Sequence, residues 1–250
     1  MKKTVFSLIL ALSVITVAAQ QKDSSKSSGL NGLFKKANSV LNSKSGAGSS
    51  LTTDEIIAGL KEALSVGAQN SAGKLSTVDG FLKDAAVKIL MPDEVRKFET
   101  KLRALGMGKL VDDAVTSMNR AAEDASKTAS PIFIDAIKKM SVQDALGILR
   151  GKDTAATAYL KKTTSNQLTD AFLPIIKNSL KKVNATKYWT EVFTVYNKFS
   201  LTPVTADINE YVTERALRGI FYYVGEEEKK IRANPAARVS DILKKVFGSK

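Results

Sequence analysis

The chain has 250 residues, a net charge of +13, and 44% hydrophobic against 25% charged residues, a globular balance rather than a disordered one. It contains neither Cys nor His. That excludes disulfides, thiolate and imidazole metal sites, Ser-His-Asp and Cys-His nucleophile systems and His general bases, leaving carboxylates, Lys, Tyr, Ser, Thr and oxygen-held metals as the available chemistry.

Met1 to Ala19 read as a secretory signal peptide: Lys2 and Lys3 precede an apolar run from Val5 that ends on the small residues Ala18 and Ala19. The run is too short to cross a bilayer comfortably and is interrupted by Ser7, Ser13 and Thr16. The mature protein is expected to begin near Gln20 and, with no Cys to carry a lipid, to be an exported, periplasmic or secreted soluble protein rather than a lipoprotein. Residues 20–51, rich in Ser, Gly, Asn and Lys, read as a flexible tether. Leu30, Leu33, Phe34, Val40 and Leu41 are its sizeable apolar group.

The ordered domain is expected over 52–250. Thr52 and Glu55 have capping-box spacing, and Ile56, Leu60 and Leu64 follow on one face, predicting a helix over 53–69. Gly73, Gly80 and Pro92 punctuate a looser region, after which Pro92 opens a second helix ending near Gly106. Residues 109–129 carry the clearest helical period, with Val111, Ala114, Val115, Met118, Ala121, Ala122 and Ala125 in one stripe. Pro131 breaks the pattern, which resumes to Met140; Ser141 and Asp144 repeat the capping-box logic for a helix closed by Gly151. Asp153 is the candidate cap of the next helix. Further helices are predicted over 154–163, 166–183 with an adjustment at Pro174, 187–199, 206–224 and 240–247. Glu191 to Phe199 has strand-favouring composition, but Trp189, Val192, Phe193, Tyr196 and Phe199 fit a helical face better. The fold class is therefore all-α, a single globular multi-helix domain preceded by a signal peptide and a flexible tether.

Three segments stand out: Met118 to Glu123; Asp144-Ala145 through Ile148-Leu149-Arg150-Gly151 to Tyr159; and Glu227 to Arg238 with the ending Leu243 to Gly248. Together and in this order they resemble a bacterial exported family known as domain of unknown function 4197, over roughly residues 52–248. The resemblance implies a helical exported domain and carries no established activity. Many members look like lipoproteins, from which this chain departs by lacking the Cys.

Candidate ligand-binding residues come from the polar parts of these segments. Asn119 and Glu123 are helical i,i+4 neighbours, and Arg120 can reach Glu123 or Asp124. A solvated ladder is the default for such a group; if buried, it must form a satisfied network, and such a network can line a cleft. Arg232 and Arg238 bracket the turn at Asn234-Pro235, where two guanidiniums can grip a carboxylate or phosphate, or clamp an acid of the same domain such as Glu228. The intramolecular clamp is favoured. Glu226, Glu227 and Glu228 point in different directions on a helix and do not converge by themselves. The aromatic residues Tyr188, Trp189, Phe193, Tyr196, Phe199, Phe221, Tyr222 and Tyr223 are most simply core.

Between Asp153 and Glu191 lie Lys161, Lys162, Lys177, Lys181, Lys182 and Lys187 against the single acid Asp170. This excess suits contact with an anionic surface, such as anionic lipid, lipopolysaccharide or an acidic envelope protein; the alternative is an ordinary solvated face. No cofactor or metal pattern is present, no nucleic-acid partner is expected, and no further membrane-length run follows the signal. The leading reading is a non-enzymatic cell-envelope binding or interaction domain. A carboxylate-dependent envelope hydrolase, which requires a cleft with convergent acids and a raised carboxyl pKa, and a structural or assembly protein are the alternatives.

Overall fold

The computed structural model describes residues 52–201, 203 and 207–233, all within one compact unit, Leu51–Lys250. The expected signal peptide and tether, Asn234, Arg238 and the helix expected over 240–247 lie outside the described residues. Every regular element among the described residues is helical, as the periodicity predicts. In chain order these are α1 (Thr53–Leu75), α2 (Asp93–Lys97), α3 (Glu99–Leu102), a π-helical turn (Arg103–Met107), α4 (Gly108–Ser126), α5 (Ala129–Lys139), α6 (Val142–Arg150), α7 (Ala155–Lys182), α8 (Ala185–Phe199) and α9 (Ile208–Ala233).

Both predicted capping boxes form. The Thr52 hydroxyl accepts from the Glu55 amide while the Glu55 carboxylate accepts from the Thr52 amide, and Ser141 and Asp144 do the same at α6. α4 buries Ala114, Met118, Ala121, Ala122 and Ala125 completely. It packs on α7, α8 and α9, where its small side chains permit close approach of its neighbours' axes. α1 rests on α9 and α5, so that α4, α7 and α9 form the centre of one contiguous apolar core.

The boundaries differ from expectation in five places. α1, expected to end at 69, runs six residues further to Leu75, so that Gly73 lies inside it rather than in the looser region. The region expected as two helices over 154–163 and 166–183 is one helix, α7. Its Thr164, Ser165 and Thr169 hydroxyls donate to the carbonyls four residues back, satisfying themselves within the helix. Its buried residues recur every fourth position, Ala156, Leu160, Thr164, Leu168, Phe172, Ile176 and Leu180. Since four residues overshoot a 3.6-residue turn by about 40°, this stripe winds round the helix. α7 thereby meets α9 near Thr157, where Gly225 approaches, and α4 near Ser179, whose hydroxyl donates to Asp124.

The helix expected from Pro92 to Gly106 is instead broken at Phe98 and closed by the π-helical turn, within which Gly106 takes φ +80°, a left-handed conformation that glycine adopts without steric cost. Pro131, expected to break the pattern, lies in the first turn of α5, where its missing N–H leaves no intrahelical bond unmade. α9 runs nine residues past the expected end at 224, its last turns carrying the pairs Glu226–Lys229, Glu227–Lys230 and Glu228–Arg232.

Candidate functional site

The segment joining α1 to α2, residues 76–92, has no strand to pair with, so its buried backbone groups must find other partners. Asn119 of α4 supplies them at Ile89. Its Oδ1 accepts from the Ile89 amide at 2.8 Å, and its Nδ2 donates to the Ile89 carbonyl at 2.8 Å and to the Val115 carbonyl at 2.7 Å. A single side-chain amide thus does the work of a neighbouring strand. One turn on, Glu123 Oε1 accepts from the amides of Phe81 and Leu82 at 3.1 and 3.2 Å, and Oε2 accepts from Arg120 at 2.7 Å. Arg120 also reaches Asp79 at 2.7 Å. Asp79 stands at φ +70°, a left-handed conformation that Asp tolerates better than most residues.

The expected solvated ladder is therefore corrected. Asn119 and Glu123 are buried and Arg120 is half-buried, because α4 is covered on this side by the 76–92 segment. Their network is satisfied inside the protein and acts as a clamp on that segment.

α1 and α9 hold the other side of the segment. Lys74 Nζ donates to the Tyr223 hydroxyl at 2.6 Å and pairs with Asp84 at 3.0 Å, while the Tyr223 hydroxyl donates to Asp84. Burial pushes the Asp84 carboxyl up, but the hydrogen bonds from Tyr223, Lys74 and the Ala86 amide outweigh it and leave its pKa below the ordinary value. Tyr223 is raised, first by burial and then by Asp84. Tyr211 donates to the Leu90 carbonyl at 2.8 Å. Gly219 allows the closest approach: a Cβ there would stand 2.5 Å from the Phe81 ring.

Between this pinned segment and α9 lies a cavity of about 320 Å³. Val87, Ile89 and Met91 line it on one side with their neighbours Lys88 and Leu90; Asp93 and Arg96 of α2 close one rim; and Tyr211, Arg215, Arg218, Gly219 and Tyr222 of α9 form the opposite wall. Tyr211, Arg215, Arg218 and Tyr222 fall at i, i+4, i+7 and i+11, one face of a helix. Four cations therefore line the space against one acid. Arg96 pairs with Asp93 at 2.9 Å and Arg218 with Glu214 at 3.0 Å, both pairs exposed. Arg215 lies over the Tyr211 ring, 5.1 Å from its centroid, and its Nε is buried with no hydrogen-bond acceptor among the described residues. An unmet buried donor costs about 1–3 kcal/mol, and more when charged.

The sequence reading missed this wall, placing Tyr222 in the core, whereas it is 45% exposed. Phe199 is likewise exposed, so the core expectation holds for Trp189, Phe193, Tyr196 and Phe221 and fails for these two. The signal that was present is the spacing of two Arg and two Tyr residues along one face of α9. What was absent is any local hint that residues 86–91 would face them.

Arg232 is elsewhere. Its Nε and Nη2 donate to Glu228 Oε1 at 3.1 and 2.9 Å, and Nη2 also donates to the Ile148 carbonyl. This is the intramolecular clamp that the spacing favours. Glu228 in turn accepts from the amides of Ala156 and Thr157 and from the Thr157 hydroxyl. Those amides are the second and third of α7, the donors that a capping side chain normally meets. The expected cap, Asp153, is corrected: the preceding residue Thr154 makes no side-chain capping bond, and a carboxylate 72 residues away serves instead. Arg232 sits thirteen residues beyond Gly219 on α9, about 20 Å along its axis, so Arg232 does not join Asn119, Arg120 and Glu123 in one cleft. Glu226 and Glu227 turn to Lys229 and to Asn70 with Lys230, diverging from Glu228 as consecutive helical residues must.

All six lysines of the 153–191 stretch are exposed. Lys162 and Lys182 are twenty residues apart on α7, about 30 Å, so the sequence cluster is a dispersed field. Lys187 pairs with Glu191 at 3.8 Å.

Asp79, Asp84, Asp112, Asp124 and Asp144 all have pKa values displaced downward. At Asp79 the hydrogen bond from Lys83 is the largest cause, followed by that from Arg120. At Asp112, Asp124 and Asp144 the leading donors are Arg103, Lys127 and Ser141. None of these is a carboxyl held protonated near neutral pH for acid catalysis. Among the described residues no acid cluster has the arrangement of a metal site, and no helix is long and apolar enough to cross a membrane.

Fold and contacts together define an all-α domain in which residues distant in sequence clamp one irregular segment and cap one long helix. Its family follows from a match over residues 50–248: the chain belongs to the family described as "Protein of unknown function (DUF4197)". No curated protein and no solved structure matches it. Among the segments that carried the resemblance, Met118 to Glu123 holds the clamp, and the other two supply Ile148, Thr157, Glu228 and Arg232 to one junction.

Proposed function

We propose that the protein is an exported, non-catalytic binding domain of the bacterial cell envelope, and that its ligand site is the cavity between residues 86–91 and α9, occupied by a small anion. The observation that carries this reading is the lining itself: Lys88, Arg96, Arg215 and Arg218 against Asp93, with apolar side chains between them. Sites for small ligands combine an apolar surface with a few placed polar groups, and about 320 Å³ lies at the small end of their range. Asn119, Arg120 and Glu123 serve this site as positioning residues, holding the segment that forms its wall.

The test is thermal unfolding in a panel of small anions, matched in ionic strength with sodium chloride. A ligand at a hundred times its Kd adds about 2.7 kcal/mol. For a domain of this size that raises Tm by roughly 5–11 °C. A panel in which no anion exceeds the chloride control refutes the reading. The export arm is tested by mass spectrometry of the mature protein, where retention of Met1 to Ala19 is the adverse result. The exposed, dispersed lysines of α7 and α8 support an additional contact with a broad anionic envelope surface. Replacing Lys177, Lys181 and Lys182 by Gln then weakens binding to anionic vesicles while leaving Tm unchanged, and equal binding of both proteins removes that contact from the proposal.

A further inference from the structure

We propose that the cavity is a phosphate-monoester site, with Arg215 as its anchor and Arg96 and Arg218 as rim groups that turn inward onto the phosphate. This rests on the reading of the cavity as an anion site and specifies the anion.

Three features separate the cavity's arginines. Arg215 is held in place by its stacking over Tyr211, whose hydroxyl is itself committed to the Leu90 carbonyl, and its buried Nε has no acceptor among the described residues. Closed to water as it stands, that donor meets a ligand oxygen only when the guanidinium tilts from its place over the Tyr211 ring. Arg96 and Arg218, by contrast, are tied only to the exposed acids Asp93 and Glu214, with guanidinium side chains 49% and 63% exposed. Exposed pairs of this kind are weak, so either guanidinium can exchange its partner for a ligand oxygen at little cost. Arg96 belongs to α2 and Arg218 to α9, so the two reach the space from different elements.

The count of charges and oxygens then selects the ligand class. Three forked guanidiniums and Lys88 exceed what the two oxygens of a monocarboxylate can accept. A phosphate monoester presents three terminal oxygens and a charge of about −1.5 to −2 at pH 7. Against the four cations and Asp93 the lining carries a net +3, and counting the neighbouring Glu214 it carries +2, close to balance with a dianion. The ester's organic part meets Val87, Ile89, Met91 and the Tyr222 ring, and the portion of it that lies inside the cavity is about one ring in size. The same headgroup chemistry is offered by a free phosphorylated small molecule and by phosphatidic acid at a membrane surface.

Calorimetric titration of the mature protein with phenyl phosphate, with benzoate, and with phosphatidylcholine vesicles with and without phosphatidic acid tests this. Phenyl phosphate binding at least ten-fold tighter than benzoate is expected. Arg215→Gln and Arg215→Lys should each reduce its affinity at least ten-fold, since Lys keeps the charge but loses both the fork and the Nε donor. Arg96→Gln, at an exposed position that leaves folding untouched, should reduce it several-fold. Circular dichroism verifies that the Arg215 variants are folded; if they are not, Arg96→Gln and Arg218→Gln together carry the test. Arg215-dependent binding of phenyl phosphate identifies a free ester as a ligand, whereas Arg215-dependent binding confined to phosphatidic acid vesicles identifies the lipid source. Benzoate binding as tight as phenyl phosphate, with the same dependence on Arg215, overturns the phosphate assignment and leaves the anion site standing. Phosphate binding indifferent to Arg215, Arg96 and Arg218 overturns the assignment to this cavity. Binding of neither small anion and no preference for phosphatidic acid vesicles overturns the phosphate assignment, and the anion panel then decides separately whether the anion site stands.

Discussion

An Asn119→Leu substitution preserves side-chain volume on α4 and removes every polar atom that meets Ile89. Asn119 is fully buried and Ile89 is 1% exposed, so neither the Ile89 amide nor its carbonyl can turn to water without the 76–92 segment moving off the core. The wild-type bonds to those two groups are both 2.8 Å. Two orphaned buried groups at about 1–3 kcal/mol each give an expected loss of about 2–6 kcal/mol. The Val115 carbonyl, which also loses its bond from Nδ2, keeps its place within α4 and adds little. Domains are stable by about 5–15 kcal/mol, so the variant should still fold at 25 °C. Urea unfolding should show a lower midpoint with an unchanged slope, and Tm should fall by at least about 4 °C. Hydrogen exchange supplies the local readout: the Ile89 amide should exchange much faster relative to amides of α4 and α7. Because the same segment forms the cavity wall, anion affinity should fall with it. A loss under about 0.5 kcal/mol, or an Ile89 amide as protected as in the wild type, refutes the account of Asn119 as a substitute strand.

Three other outcomes are expected. Glu228→Ala removes the acceptor from the first turn of α7 and leaves Arg232, with its side chain 14% exposed, short of its carboxylate, which should cost about 3–5 kcal/mol in denaturant unfolding; a cost below about 1 kcal/mol contradicts the trans cap. Gly219→Ala drives a methyl group to 2.5 Å from the buried Phe81 ring, and the overpacking should cost about 1–3 kcal/mol and weaken anion binding; an unchanged Tm shows that Phe81 yields freely. Stability should be flat between about pH 6 and 8, because no His titrates there. The Asp79, Asp84, Asp112, Asp124 and Asp144 pKa values lie below their unfolded value of 3.8, so the stability they contribute is complete above that value and is lost as pH falls through the lower folded values. Tyr211 and Tyr223 are raised above 10.0, mainly by burial, so theirs is present below pH 10 and lost as pH rises through the folded values. A loss of stability between pH 7 and 5 runs against this assignment.

Helical class, both capping boxes, the alanine face of α4 and the Arg232–Glu228 pair were legible in the sequence because each depends on residues three or four apart. Periodicity and local spacing report such contacts directly. The single helix α7 was readable only in part, since Thr163, Thr164, Ser165 and Pro174 suggest interruption until their hydroxyls and neighbours are placed. Nothing local indicated that Glu228 would cap a helix beginning at Ala155, or that Asn119 and Glu123 would serve backbone at 81–89. Their partners are 30 to 72 residues away, and a polar residue on a helix carries the same local signature whether it faces water or an unpaired amide. The cavity belongs wholly to the tertiary structure. The sequence by itself determined that α9 carries Tyr211, Arg215, Arg218 and Tyr222 along one face; only the packing of residues 86–91 against that face decided that these cations line a concave space, because concavity there depends on two segments more than a hundred residues apart and charge spacing on one helix cannot encode it.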